Sequence, residues 1–344
     1  MAKITVIITS YNLETMIGKC FDELFSQTLQ DFNILLIDDC SKDKTVEVVK
    51  SYVEKHPDRI RAIFLSENQG SPSYVRNIAL ESGMIDGEYV VFLDGDDSVE
   101  QDYLETLYNL TIESNADIAV CAYDRVEQNT NRVLCTEMQG FPKEINMQHE
   151  QAKIAFVNTS LWNKLIRTSI IGDLRFPNIK IVDDACFFYA LMLKCEKIAF
   201  TNKVLLHYVV RENSIINNDT TRPELAVEFA DELISIFKRC DNAAIKEVLA
   251  LAIFIHIGIA LPLRLNDNPN VDIRRHVKWT HSFFLKSFNL FRGYKIFSLL
   301  SLGRFGVRGT ALWVCRLLYK LRCFMCFLGL YKFYKRLLRR DLKW

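Results

Sequence analysis

VVFLDGDDSVEQDYL, residues 90–104, decides how this chain is read. Four apolar residues, Val90 to Leu93, run straight into Asp94, Asp96 and Asp97, with Gly95 at the turn. A short apolar run bounded by a Gly-Asp turn has the pattern of a strand buried on both faces. Carboxylates crowded this closely repel one another unless something positive sits among them. Standing alone, the cluster reads as a solvated turn. Joined by other polar strand ends, it reads as a site.

Outward from this stretch the first half alternates strands and helices. ITVIIT (4–9), FNILLIDD (32–39), IRAIFL (60–65), EYVVFLD (88–94) and DIAVCAY (117–123) read as strands. Helical spacing lies between them at 15–29, at 45–53 with Ser41 as the expected cap, at 73–82 and at 100–113. This rhythm predicts an α/β fold with a mainly parallel sheet flanked by helices on both faces. Ligands of such sheets bind at the carboxyl ends of the strands. Strand one ends in Thr9-Ser10-Tyr11-Asn12, strand two in Asp38-Asp39 and strand four in the aspartate cluster. Three polar ends on one rim favour a site over a turn. From 140 to 215 the pattern loosens, with strands expected at 197–201 and 204–210, and 222–262 reads as helical.

The 344 residues are 49% hydrophobic and 25% charged, enough apolar material for a full core. The net charge of +1 hides an asymmetry. Residues 286–344 hold 14 Lys/Arg against one acid, Asp341, while residues 1–285 hold 29 basic and 41 acidic residues, a net of −12. The ten cysteines are scattered. The pair Cys323 and Cys326, with no second CxxC, reads as buried or interfacial thiols rather than a zinc site. The opening MAKITVIITSYN enters a strand at once, so no signal peptide is expected. The apolar run 248–263 reads first as a core helix and second as a shallow membrane segment.

A dinucleotide site or P-loop needs glycines in the first turn so that backbone can approach phosphate. TSYNLET has none. The remaining device is a hard divalent cation bridging carboxylates to a diphosphate.

At this point the chain resembles the family 2, GT-A-fold glycosyltransferases, the nucleotide-sugar-dependent inverting group. The resemblance covers about 1–215. It rests on ITVIITSYN (4–12), LLIDDCSKD (35–43), ENQGSPSYVRN (67–77), VVFLDGDD (90–97), LWNKLIR (161–167), VDDACFF (182–188) and YVVRENSI (208–215), in that order. It implies a donor pocket of Thr9, Tyr11, Asp39, Arg76, Asp94 and Arg211, with Asp38 a structural partner. Asp94 and Asp96 would hold Mn²⁺ or Mg²⁺, and Asp97 would orient the site or cap the next helix. Arg76 has a second reading as a helix-surface arginine. Asp184 maps to the catalytic base beside Asp183, which stands where the family usually has glutamate. Trp162 is either a sugar-stacking acceptor residue or a core tryptophan, and His207 is either a diphosphate contact or simply packed.

These roles imply an inverting, metal-dependent hexosyltransferase-type enzyme. It would move a sugar from a UDP-sugar to a saccharide or lipid-linked acceptor in bacterial capsule, exopolysaccharide or lipopolysaccharide synthesis. A non-catalytic GT-A-fold membrane scaffold or partner subunit is the alternative. The intact carboxylate set favours the enzyme. The expected organisation is a GT-A domain over 1–215, a helical extension over 216–285 and a basic, aromatic, amphipathic tail over 286–344. Cations that snorkel beside apolar faces suit an anionic membrane surface, with a helix for a partner protein as the second reading. The expected location is therefore cytoplasmic, peripheral to the inner face of the cell membrane. The tail's large aliphatic content argues against a nucleic-acid partner.

Overall fold

A computed structural model describes residues 2–128, 130, 132–149, 151–179, 183–210, 223–266, 268, 271–288 and 294–338. Chain contacts divide the protein into two units: 1–150 with 157–212, and 151–156 with 213–344.

The first unit is built on one ten-stranded mixed sheet. Its strands are β1 (Ile4–Ser10), β2 (Phe32–Asp38), β3 (Ile60–Phe64), β4 (Tyr89–Asp94), β5 (Ser98–Val99), β6 (Ile118–Glu127), β7 (Val133–Glu137), β8 (Glu144–Asn146), β9 (Lys164–Arg167) and β10 (Lys197–Val210). The order is β3-β2-β1-β4-β9-β6-β10-β5, with β7 on β6 and β8 on β10. β1 runs parallel to β2 and β4, and β2 to β3. β9 lies antiparallel between β4 and β6, which makes the sheet mixed. The two strands expected over 197–210 are one, β10, with register shifts between Thr201 and Leu206. β1 and β4 form where apolar runs demand burial on both faces, and they bury nearly every side chain.

Helices α1 (Ile17–Phe25), α2 (Thr45–Lys55), α3 (Pro72–Glu81), α4 (Tyr103–Ser114), α5 (Thr168–Ile171) and α6 (Asp183–Met192) flank the sheet. α1 buries Ile17, Cys20, Phe21 and Leu24, one face at helical spacing. α6 buries every residue from Ala185 to Met192, so its two leading aspartates are the charged end of a core helix. Ser41 does not cap α2. It turns back to Asp38, and Asp43 accepts the Thr45 N–H at 3.0 Å instead. The parallel register sets Thr9 beside Asp94 and Ser10 beside Asp38, so three strand ends finish level on one rim.

The second unit is helical: α7 (Pro223–Arg239), α8 (Ala243–Ile253, prolonged as a π-helix and a last α turn to Leu265), α9 (Ile273–Phe283), α10 (Leu299–Gly303), α11 (Gly306–Lys320) and α12 (Phe324–Leu338). The apolar helix Ala243–Leu265 has 23 residues, and its most apolar window has a mean hydropathy of 2.2, long and apolar enough to cross a membrane. In this unit its most apolar window is 83% buried, the first of its two expected readings. Phe254 packs on Phe284, Phe297 and Tyr319, and the Tyr319 hydroxyl donates to the Gly258 carbonyl at 2.8 Å. That cluster draws on both sides of residue 286, so among the described residues the expected helical extension and tail pack together. The 3-10 helix Gln151–Phe156 belongs to this unit too, with Phe156 against Phe305. Cys323 and Cys326 are exposed, not buried.

Candidate active site

The rim starts at the turn after β1. Asn12 takes a left-handed conformation, φ 53°, which asparagine tolerates because its short side chain bonds locally. Its Oδ1 accepts the Lys42 N–H at 2.8 Å, and its own N–H donates to the Ser41 hydroxyl at 2.9 Å. Asp38, fully buried, accepts from the hydroxyls of Ser10 and Ser41 and from the Ser41 N–H. The turns after β1 and β2 are thus one braced piece, and Asp38 is spent on the bracing.

Asp39 is free of that role. It accepts the Gln69 N–H at 2.7 Å and the Asn68 amide at 3.0 Å. Burial raises its carboxyl above the usual range, opposed by the N–H groups of Gln69 and Gly70. Tyr11 stays exposed at the same rim.

The centre of the rim is Arg76, 5% exposed. One guanidinium nitrogen donates to Asp184 at 2.5 Å and lies 3.6 Å from Asp183; another donates to Asp94 at 2.9 Å. The Thr9 hydroxyl reaches the same Asp94 oxygen at 3.5 Å. The Arg76 guanidinium also lies 5.5 Å from the Phe176 ring, and Asn77 locks Phe176 by a reciprocal pair of hydrogen bonds to its backbone. One buried cation therefore joins the end of β4 to the N-terminus of α6. The helix-surface reading of Arg76 is excluded.

Burial pushes the Asp184 carboxyl up to about 7; Arg76 opposes this, while Asp183 and Asp94 add to it. Asp183 shifts up for the same leading reason, and its Oδ2 has no hydrogen-bond donor. Behind α6, Lys164 is fully buried, donating to the Asn158 and Ser160 carbonyls and to Asn163 Oδ1. Burial brings its ammonium down to about 7, with Cys121 and Asp184 opposing.

Gly95 serves by close packing. A Cβ there would come within 2.9 Å of Leu13 and Ile17, so glycine lets the aspartate loop rest on α1. Asp97 is no helix cap: Asp102 precedes α4, and Asp97 is buried with its Oδ2 unpartnered. Burial and Asp94 push its carboxyl well up, opposed by the Val209 N–H.

Trp162 lies in the core, 6% exposed, edge-on to Tyr123 at 4.5 Å and stacked on Tyr208 at 5.4 Å. This packing leaves little indole face for a sugar. His207 pairs with Glu100 at 2.7 Å. Arg211 lies outside the described residues, as does Val182 of the VDDACFF motif.

Asp94 and Asp96 offer hard carboxylate oxygens at the strand end. Among the described residues no group of three ligating side chains could hold a metal. The donor set fits Mg²⁺ or Mn²⁺ bound by one or two carboxylates and completed by water and a ligand's phosphate oxygens. It does not fit an all-protein cage.

The glycosyl transferase family 2 model matches residues 5–189. Glycosyltransferase GlyA of Streptococcus pneumoniae is 31% identical over 222 residues, 62% of this chain and only 31% of that protein's length. The cholesterol galactosyltransferase of Borreliella burgdorferi is 30% identical over 272 residues, 74% of each chain. The crystal structure of Staphylococcus aureus TarS 1–349 in complex with UDP-GlcNAc has a TM-score of 0.71 at 21% identity, covering 93% of this chain and 92% of that one. It shares the fold. With the family model spanning more than half of it, the chain belongs to glycosyl transferase family 2.

Proposed function

We propose that this glycosyltransferase moves a sugar from a UDP-sugar to a hydroxyl of a saccharide or lipid-linked acceptor, with inversion, in bacterial surface polysaccharide synthesis. The observation that carries the reading is the Asp184 carboxyl, pushed to about 7 and held 2.5 Å from Arg76 at the donor rim. A general base works best when its pKa lies near the operating pH.

In this reading Thr9, Tyr11 and Asp39 line the nucleoside, with Asn68 and Gln69 orienting Asp39. Asp94 and Asp96 would hold Mn²⁺ or Mg²⁺, which would supply positive charge to offset the departing diphosphate. Arg76 fixes Asp94 and Asp184 relative to each other. Asp184 takes the acceptor proton as the acceptor oxygen attacks the anomeric carbon in line, and UDP leaves from the opposite face. Asp183 keeps the proton affinity of Asp184 high. We assign Trp162 to packing and leave the acceptor platform open to other residues.

The choice of UDP draws on TarS, crystallised with UDP and with UDP-GlcNAc. The choice of a surface-polymer acceptor draws on relatives named for poly(ribitol-phosphate). We also propose that the protein sits at the cytoplasmic face of the cell membrane. The test is a donor panel: the full chain with Mn²⁺ and UDP-, GDP- and dTDP-sugars, reading released nucleotide. Release of UDP alone supports the reading. No turnover and no binding with any donor overturns it.

A further inference from the structure

We propose that helix α11 lies in the headgroup layer of an anionic membrane through its outward stripe: Val307, Thr310, Val314, Leu317 and Leu321. This names the surface that the membrane placement above requires, and it rests on that placement.

The spacing of three and four residues sets these five positions on one face of the helix. The opposite face, Gly309, Leu312, Cys315 and Tyr319, is buried. Two contacts fix which side turns inward. The Tyr319 hydroxyl is tied to the Gly258 carbonyl, and a Cβ on Gly309 would fall 1.7 Å from the Leu302 carbonyl oxygen. Yet the outward side is apolar as well: Val307 is 88% exposed, Leu321 60%, Val314 40% and Leu317 36%. A helix apolar on both faces is normally covered on both. A contiguous apolar stripe rimmed by polar residues marks an interaction surface.

Charge chooses the occupant. Arg304, Arg308, Lys320 and Arg322 are exposed around the two ends of the stripe. No Asp or Glu occurs from Ile273 to Arg340. A second copy docked on the same stripe would set these cations against their own kind with no acid in the segment to offset them. Anionic headgroups offset them directly, while the aliphatic side chains enter the acyl boundary. Trp313 shares a notch of about 140 Å³ with Arg316, Leu317 and Lys320, an indole beside cations at the depth where tryptophan favours the bilayer interface.

Deleting the tail would strip Phe297 and Tyr319 from Phe254, so point variants are the proper probe. The full chain is sedimented with vesicles of phosphatidylglycerol in phosphatidylcholine, and with phosphatidylcholine alone. The parent binds the anionic vesicles preferentially. Val307→Glu and Leu321→Glu each weaken that binding about tenfold or more. Ile112→Glu, which adds the same charge at an exposed site on α4, leaves it unchanged. All three keep the parent's melting temperature and UDP release. Binding that persists in both stripe variants overturns this face and leaves the membrane placement standing. A parent that binds neither vesicle, or both equally, overturns the proposal. So does a parent that self-associates through the stripe, seen by light scattering and lost in Val307→Glu. Absent UDP release with vesicle binding intact counts against the proposed chemistry alone.

Discussion

The two ends of the charge asymmetry behave in opposite ways. At the rim of the first unit, Asp94, Asp183 and Asp184 gather around one buried guanidinium, and burial raises the proton affinity of Asp183 and Asp184. Along α11 and its flanks, cations stand in solvent with no acid in the surrounding sequence. Burial makes charges interdependent, because each ion must be offset locally. Exposure leaves them independent and screened by salt. The first arrangement suits chemistry at a fixed point, the second attraction to an extended surface.

The sharpest way to break this contrast is at the base. Asp184→Asn keeps shape and removes the proton acceptor; transfer is expected to fall about 10²–10⁴-fold, read as kcat, with UDP-sugar binding by calorimetry retained. Next comes the hub. Arg76→Met leaves three carboxylates without their cation and is expected to cost about 3–5 kcal/mol of stability in urea unfolding. Arg308→Met, its exposed counterpart, should not move the same curve.

The pH dependence follows. Folding lifts the Asp184 carboxyl from its ordinary 3.8 to about 7, so the folded chain binds that proton more tightly than the unfolded one. Stability from this group is full below about pH 4 and is lost as pH rises through 7. Activity should run the other way, its acid limb rising through the same range. Urea midpoints and kcat/KM measured across that range check the opposed slopes. The smallest effect is expected at Asp97. Burial raises its proton affinity and its Oδ2 has no partner to lose, so Asp97→Asn should cost under about 1 kcal/mol and spare activity, whereas Asp96→Asn should not.

Much of the site was legible because it sits on strands whose periodicity is plain. Thr9, Asp39 and Asp94 end short apolar runs, and parallel pairing levels such ends without further information. What the residues could not say alone was who shares a partner. Arg76 lies 108 positions from Asp184, and no spacing rule spans that distance. Asn68 had no role of its own in the sequence pattern, and its amide meets Asp39. Lys164 carries a charge that sequence rules place outside, yet three carbonyl oxygens hold it within the core. Trp162 failed as a surface platform for a similar reason: aromatic neighbours from β6 and β10 enclose it, and neither is near it in sequence.

The six residues Gln151–Phe156 carry a consequence for how the chain is made. They are flanked on both sides by the first unit, yet Ile154 and Phe156 pack among helices that begin near residue 243 and reach Phe305. At about 5–20 residues per second, a ribosome leaves this apolar segment waiting for its companions for on the order of ten seconds. The first unit's chain therefore emerges carrying a segment whose packing partners are translated later.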